Sequence, residues 1–226
     1  MVLETHLHSY FGSPCGKLDP LLITKLYKYK NYDGLIVTEH FSNYILNDFY
    51  PAGTYEDKLN NFLKSYNLFL SDAKQYNLKI FLGMEICISG AIYADYLIYG
   101  ITEEFLFNNK NLSRLNQQQL FELCNNNHLF MVQAHPFRKN ITLGNPLFMH
   151  GVEVFNGNKR HNSHNLKALN FAKKNNLKQF SGSDFHEQED LATGGIIIPD
   201  EINTNSELVD YFFNNQPQLI KKGRKI

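Results

Sequence analysis

The sequence predicts a single-domain α/β barrel that closes on itself in the manner of a TIM barrel. Short apolar runs of strand length alternate with longer amphipathic stretches along all 226 residues. Seven or eight such strand–helix units in one domain of this length favour a barrel. With 43% hydrophobic and 19% charged residues, the chain has enough apolar content to form a core, which argues against disorder.

Eight segments are predicted as strands because they are short, apolar and bounded by polar stretches. In chain order they are Val2–His6, Gly34–Thr38, Leu78–Met84, Ala91–Tyr99, Phe130–Ala134, Val152–Phe155, Leu177–Ser181 and Gly195–Ile198. Because a helix is predicted between most of them, we expect a parallel sheet with helices as cover.

Helices are predicted where apolar residues recur at helical spacing after a capping residue. The first begins at Asp19-Pro20, since Asp accepts hydrogen bonds from free N–H groups and Pro fits the first turn. Four more are predicted to begin at Thr54, Asn116, about Asn162 and Ser206.

Residues 1–226 are predicted to form one domain, because no linker rich in Ser, Gly or Pro and no internal repeat divides the chain. Lys+Arg and Asp+Glu balance at 22 each, so a broad nucleic-acid-binding face is not indicated. Residues 217–226 are interpreted as a solvated basic tail. The oligomeric state is left open.

The compartment is predicted to be the cytoplasm. No apolar run approaches the roughly 18 residues that span a bilayer, and the first residues lack the features of a secretory signal. The three cysteines are widely spaced and odd in number, which argues against a disulfide framework or a zinc ribbon.

Side chains that bind metals recur at the C-terminal ends of the predicted strands, where barrel enzymes assemble active sites. His6 and His8 lie two residues apart in an extended segment, so both imidazoles can reach one ion. Others follow later strands: Glu39-His40, Glu85, His135 and Asp184-Phe185-His186. Each motif alone has an ordinary structural explanation. Five of the nine histidines nevertheless occupy equivalent places in successive units, which favours a metal site.

This order of motifs resembles the PHP (polymerase and histidinol phosphatase) metallophosphoesterases. The resemblance runs nearly end to end, from His6-x-His8 through Glu39-His40, Glu85 and His135-Pro136 to Asp184-x-His186. It implies a distorted (β/α)7 barrel with two or three divalent metal ions that hydrolyses phosphate mono- or diesters. The ligands it implies are His6, His8, His40, Glu85, His135, Asp184 and His186.

Two positions depart from the commoner pattern of that family. Cys15 stands where an Asp is usual, and its thiolate is either a ligand or an inert loop side chain. Asp95 stands where a His is usual, and its carboxylate can still bind a metal. Mixed imidazole and carboxylate ligands accept zinc, manganese or iron, and a thiolate at Cys15 would favour zinc or iron.

Catalysis is predicted to depend on Glu85, the candidate bridging carboxylate, together with Asp184 and His186. Glu153 and Glu39 are candidates for orienting ligand histidines.

Three further residues are candidates for binding the substrate. Arg138 can bind phosphoryl oxygens or form a surface ion pair. Arg160 and His161 follow the sixth strand. With His164 on the same helical face, they would present cations at a helix N-terminus or form a solvated face.

The sequence therefore predicts a metal-dependent phosphoesterase that hydrolyses a small soluble substrate with metal-activated water. One alternative is a catalytically degenerate PHP domain that serves as a scaffold or binds a partner; its sign would be loss of ligands. A second is an amidohydrolase-like barrel hydrolase, which also opens with HxH. Such enzymes usually rely on a metal-bridging lysine, and no lysine ends a predicted strand.

Overall fold

Ten strands and six α-helices alternate along residues 1–88 and 93–221, which are the residues that the computed structural model describes. The strands are β1 (Val2–Glu4), β2 (Gly34–Val37), β3 (His40–Phe41), β4 (Lys79–Ile88), β5 (Ala94–Tyr99), β6 (Phe130–Gln133), β7 (Gly151–Asn156), β8 (Lys178–Gly182), β9 (Gly194–Ile197) and β10 (Gln218–Lys221). The helices are α1 (Pro20–Tyr29), α2 (Tyr55–Ala73), α3 (Glu103–Asn108), α4 (Gln117–Asn126), α5 (Asn165–Lys174) and α6 (Asn205–Asn214).

The strands form one sheet in the order β10-β9-β1-β2-β4-β5-β6-β7-β8, with β3 added beside β4. The pairs β1/β2, β2/β4, β3/β4, β6/β7 and β7/β8 are parallel, as expected. The pairs β4/β5, β5/β6, β1/β9 and β9/β10 are antiparallel, so the expectation of a wholly parallel sheet is wrong there. Only residues 89–93 join β4 to β5, which is too short for a parallel crossover, and the reversed β5 then meets both neighbours antiparallel.

The two ends of the sheet meet, which nearly closes the barrel. Ser181 Oγ on β8 donates to the carbonyl oxygen of Ile220 on β10 at 2.5 Å, and the amide of Gly195 donates to Ser181 Oγ at 3.3 Å. A Cβ atom on Gly194 would overlap the carbonyl oxygen of Gly182, so the close approach of β8 and β9 requires glycine there. The predicted single-domain, barrel-type α/β fold is confirmed.

The helices begin at the predicted caps in three cases. Asp19 accepts a hydrogen bond from the Leu22 amide at 2.9 Å, with Pro20 in the first turn of α1. Thr54 and Asn116 form capping boxes at the starts of α2 and α4. The last helix begins one residue before the predicted start because Thr204 is its cap.

Two sequence predictions fall partly outside the described residues. The start of the strand predicted at 91–99 lies in the undescribed segment 89–92, and β5 begins at Ala94. The segment interpreted as a basic tail begins with β10, and residues 222–226 are not described.

The apolar core adjoins the segment that carries the first two histidines. Side chains from several strands meet those of α6 in one buried cluster that includes Leu3, Ile36, Tyr99, Phe180 and Phe212. The hydroxyl of Tyr99 donates to the carbonyl oxygen of Thr5 at 3.1 Å, which ties this cluster to the residue before His6. Among the described residues, no helix is long and apolar enough to cross a membrane.

Candidate metal centre

The segment after β1 lies beside the segment after β8. The amide of His8 donates to the Phe185 carbonyl at 2.9 Å, and the amide of Phe185 donates to the His6 carbonyl at 3.1 Å. This parallel pairing puts His6 and His8 next to Asp184 and His186, although 175 or more residues separate the two motifs in the sequence.

Glu85 on β4 lies at the centre of the histidines. Its Oε1 is 3.4 Å from His6 Nε2 and 3.0 Å from His135 Nε2. Its Oε2 is 3.3 Å from His8 Nε2 and 2.8 Å from His40 Nδ1. The register of β3 against β4 places His40 directly opposite Glu85. Each oxygen of this carboxylate therefore faces a different pair of imidazoles.

Asp184 faces the same group of histidines from the other side. Its Oδ1 lies 3.4 Å from both His6 Nε2 and His186 Nδ1, and 3.6 Å from His8 Nε2. Asp184 and His135 both have positive φ, +50° and +29°, which is uncommon outside glycine. These backbone conformations at two candidate ligands are typical of positions where the surrounding structure holds a functional side chain in place.

The residues present fit bound divalent metal ions. Four groups of three ligand atoms lie within 4.8 Å of one another: His8/His40/His186, His6/His135/Asp184, His6/His8/Glu85 and Glu85/Asp95/His135. Three buried histidine nitrogens, His6 Nε2, His8 Nε2 and His135 Nδ1, have no hydrogen-bond partner. A buried polar atom without a hydrogen bond costs free energy, and a bound metal ion would remove that cost by accepting these nitrogens as ligands.

Opposite charges in the cluster shift the pKa values of its members. Burial opposes a charge on His6, but Glu153, Glu85 and Asp184 outweigh it and raise the pKa of His6 well above its usual value. Burial favours a neutral Glu85, but His6 and His40 outweigh it and hold the pKa of Glu85 well below its usual value. The histidines therefore favour the ionised form of Glu85, which is the form that binds metals.

The buried carboxylate of Glu153 contacts two of the ligand histidines. Glu153 Oε1 is 2.9 Å from His6 Nδ1, and Glu153 Oε2 accepts from the amide of His135 at 2.9 Å. Because Glu153 engages Nδ1 of His6, the Nε2 atom of that ring faces the centre. This is the orienting role that the sequence suggested for Glu153.

Glu39, the other candidate for orienting ligand histidines, contacts them through serine hydroxyls. It accepts hydrogen bonds from the hydroxyls of Ser9, Ser13 and Ser65 at 2.5 to 2.7 Å. Ser13 Oγ in turn lies 3.3 Å from Nδ1 of His8 and accepts from the amide of His40 at 3.0 Å. Glu39 thus reaches His8 through a serine.

The sequence reasoning missed Glu4, which is wholly buried beneath the site. It accepts from the amides of His6 and Ser183 at 3.0 and 2.9 Å and from the hydroxyl of Tyr27 at 2.8 Å. Burial raises its pKa. One carboxyl group thereby joins the two ligand segments. The signal was present in the sequence, because Glu4, His6 and His8 alternate along one face of an extended chain.

Cys15 and Asp95, the two departures from the family pattern, both line the cleft over this cluster. Burial opposes ionisation of the Cys15 thiol, but hydrogen bonds with His186 and His40 outweigh it and lower its pKa to about 5. Burial raises the pKa of Asp95, and the negative charge of Glu85 raises it further. Cys15 is thus a thiolate at neutral pH beside two candidate ligands.

The cleft has a volume of about 700 Å³, and its lining includes all three predicted substrate-binding residues. Arg138 Nη2 contacts Asp184 Oδ2 at 2.5 Å, so its ion pair lies inside the site and not on the surface. Arg160 pairs with Glu187 at 2.5 Å and Asp190 at 2.8 Å.

His161 lines the cleft but does not share a helical face with His164, so that expectation is wrong. His164 has a left-handed backbone and is the cap of α5, which begins only at Asn165. Partial burial and the charge of Arg138 lower the pKa of His161. Two exposed lysines, Lys17 and Lys139, also line the cleft, and no motif in the sequence pointed to either of them.

Comparisons with known proteins agree with this architecture. The family model described as PHP-associated matches residues 162–216. A solved two-domain protein from Bacteroides vulgatus, which contains a predicted PHP-like metal-dependent phosphoesterase, is similar with a TM-score of 0.68 and 17% identity. That match covers 98% of this chain and 65% of the other, so this chain spans less than two thirds of that protein's length.

Two further structures share the fold. PsfC from Pseudomonas syringae has a TM-score of 0.70 and 16% identity, with 98% of this chain and 91% of that chain covered. An amidohydrolase from Chromobacterium violaceum, with bound sulfate and no metal, has a TM-score of 0.56 and 13% identity over 93% and 96% of the two chains. No curated protein matches the sequence. The chain thus shares its barrel fold with these structures, and its residues 162–216 are similar to the PHP-associated family model.

Proposed function

We propose that this protein is a metal-dependent phosphoesterase that hydrolyses a phosphate monoester or diester of a small soluble substrate. The observation that carries the proposal is the convergence of seven side chains in one cluster: His6, His8, His40, Glu85, His135, Asp184 and His186. The last five of them line one cleft, and His6 and His8 are buried beside them. The degenerate alternative requires missing ligands, whereas every position of the predicted set holds a coordinating side chain within this cluster.

Two or three divalent ions are the cofactors that this set of side chains suits, with zinc, manganese or iron as the candidates. When bound, they would supply hydroxide from water near neutral pH and neutralise phosphoryl oxygens. A thiolate at Cys15 would favour zinc or iron among them.

Glu85 is the residue best placed to bridge two ions. Its Oε1 faces His6 and His135, while its Oε2 faces His8 and His40. Ions held by these residues would stabilise the attacking and leaving oxygens of an in-line displacement at phosphorus. Asp184 and His186 lie in the same cluster, with Asp184 Oδ1 3.4 Å from His186 Nδ1, and would help to hold the ions.

Cations at the rim would bind the substrate's anionic group. Lys17, Lys139 and Arg160 are exposed and line the cleft. His161 is favoured in its neutral form at neutral pH, so it suits a hydrogen bond to substrate and not a fixed positive charge. These cations form a local patch on a chain with zero formal net charge, which favours a small anion over a long polynucleotide. The cytoplasmic location remains a prediction from the sequence.

The amidohydrolase-like alternative draws support from the similar fold of the Chromobacterium violaceum protein. Against it, no lysine is buried among residues 1–88 and 93–221, and the two lysines that line the cleft, Lys17 and Lys139, are exposed. A bridging lysine would be expected in that class of hydrolase.

The deciding experiment offers the purified protein zinc, manganese or iron together with aryl phosphate monoesters, aryl phosphate diesters and an aryl amide. We expect nitrophenol release from a phosphate ester, and loss of about 100-fold or more in His6→Ala, because an inner ligand matters at least as much as its outer partners. His128→Ala is the matched control, since His128 is exposed and pairs with Asp210. Bound metal without ester hydrolysis would favour a scaffold, and amide cleavage alone would favour the amidohydrolase alternative.

A further inference from the structure

The two oxygens of Asp184 face different surroundings. Oδ1 faces the candidate metal ligands, with His6 and His186 nitrogens at 3.4 Å. Oδ2 turns away from them: Arg138 Nη2 lies 2.5 Å from it, and Asn156 Nδ2 lies 3.2 Å from it. The side chain of Asp184 is only 1% exposed, so water does not compete for either oxygen.

Arg138 is held in this position by several contacts. Its Nη2 also donates to Asn156 Oδ1 at 3.0 Å and to Ser163 Oγ at 3.4 Å. Its amide donates to the carbonyl oxygen of His135 at 3.0 Å, so the turn that carries the ligand His135 also fixes the backbone of Arg138. The side chain is 15% exposed, which leaves it little freedom to leave the carboxylate.

A chain of hydrogen bonds joins this ion pair to His6. Asn156 Nδ2 donates to Glu153 Oε2 at 2.9 Å as well as to Asp184 Oδ2. Glu153 Oε1 then contacts His6 Nδ1 at 2.9 Å. The same network therefore orients a histidine and a carboxylate that approach each other at the centre.

We infer that Arg138 is a positioning residue of the metal centre, which occupies Oδ2 of Asp184 so that the carboxylate offers a single oxygen, Oδ1, to a metal ion. The guanidinium also places a positive charge on the far side of that carboxylate. It therefore weakens cation binding by repulsion while it fixes the direction of Oδ1. Both effects belong to the protein whether or not Arg138 also contacts substrate.

The inference rests on the metal-binding part of the proposed function and not on hydrolysis. Its test is cobalt(II) binding to metal-free wild type, R138Q, R138K and Lys25→Gln, with affinity measured against a chelator and ligation followed by visible absorption. Lys25 is the control for loss of one positive charge, because it is exposed on α1 and does not line the cleft.

For R138Q we expect cobalt(II) to bind about tenfold more tightly or better, because a positive charge no longer repels the ion. We also expect weaker visible absorption, because Oδ2 becomes free to join the ion and raises its coordination number. R138K, which keeps the charge, should return both readouts toward the wild-type values. Lys25→Gln should leave both unchanged.

Cobalt affinity and absorption in R138Q that match wild type would overturn the inference, even if its KM for a phosphate ester rises, because Arg138 would then act on substrate alone. If R138Q does not fold, as judged by circular dichroism, R138M, which also removes the charge and frees Oδ2, decides in the same way against Lys25→Gln. Metal binding without hydrolysis in wild type would defeat the proposed function and leave this inference standing. Absence of metal binding in wild type would defeat both.

Discussion

At the scale of single residues, each nitrogen and oxygen of the candidate centre faces particular partners. His6 directs Nδ1 to Glu153 at 2.9 Å and leaves Nε2 buried without a hydrogen-bond partner. Glu85 divides its two oxygens between pairs of histidines. Such division gives each ligand one orientation before any ion binds, which lowers the cost of ordering it on binding.

The first prediction concerns the orienting carboxylate. Glu153→Gln keeps the size of the side chain but replaces an acceptor beside His6 Nδ1 with an amide, so Nε2 becomes a weaker and less well-directed ligand. We expect metal affinity to fall by about 10- to 100-fold. Chelator competition with zinc or manganese measures it. Glu201→Gln, at an exposed loop residue, is the control, and an unchanged affinity in Glu153→Gln would contradict this role.

The second prediction concerns the thiol of Cys15, whose pKa is lowered to about 5, while burial raises that of Cys87 to about 12. In metal-free protein, alkylation of Cys15 by iodoacetamide should already be at its plateau rate above about pH 6, since the thiolate is the nucleophile. Cys87 should stay nearly unreactive over the same range and serves as the internal control. Peptide mass spectrometry reads both sites. A Cys15 rate that keeps rising toward pH 9 would show an ordinary thiol.

At the scale of elements, the junction between β8 and β9 decides whether the ligand segments meet. Asp184 lies two residues beyond β8, and the backbones of Gly182 and Gly194 are in direct contact.

Most element types and three helix caps could be predicted from the sequence, because strand length, apolar spacing and capping chemistry are local. Strand direction and sheet order could not, because they depend on which strands meet across the barrel.

The third prediction tests that junction. Gly194→Ala should separate β8 from β9, because its Cβ would overlap the carbonyl oxygen of Gly182 and backbone cannot yield as a side chain can. We expect destabilisation of about 1–3 kcal/mol, typical of overpacking, together with weaker metal binding. Thermal unfolding and metal titration measure the two effects. Gly53→Ala is the control, since the three atoms nearest to its Cβ belong to the exposed side chain of Asp57 and not to backbone. Equal melting temperatures for the two variants would rule out the close packing described here.

At the scale of the whole molecule, the centre couples folding stability to pH and to metal. Burial opposes protonation of His6 and His40, but neighbouring carboxylates, Glu85 among them, outweigh it and raise both pKa values well above the usual value. In the metal-free protein this stabilisation is full below the unfolded value of about 6.5 and is lost as pH rises through the folded pKa. Metal binding has the opposite dependence, because it must displace those protons.

The fourth prediction follows from these opposite signs. The difference in melting temperature between metal-loaded and chelator-treated protein should widen as pH rises from 6 to 8.5. At a free metal concentration about 100 times the Kd, the stabilisation should be about 2.7 kcal/mol. Differential scanning calorimetry at matched ionic strength measures the gap. His6→Ala should show a smaller widening, and a gap that narrows with rising pH in wild type would contradict the placement of these charges.

The sequence by itself determined the fold class, most of the strand and helix positions and the identity of the side chains that converge, because periodicity, capping and ligand type are written in short stretches of chain. The tertiary structure alone decided how they are used: Asp184 shared between Arg138 and the histidines, Glu39 acting through Ser13, and Glu4 joining two ligand segments. Those contacts join residues up to 179 positions apart. The closure of the barrel decides which residues become partners. No local pattern shows this, because the separation of two residues along the chain does not tell which buried polar groups hydrogen-bond to each other.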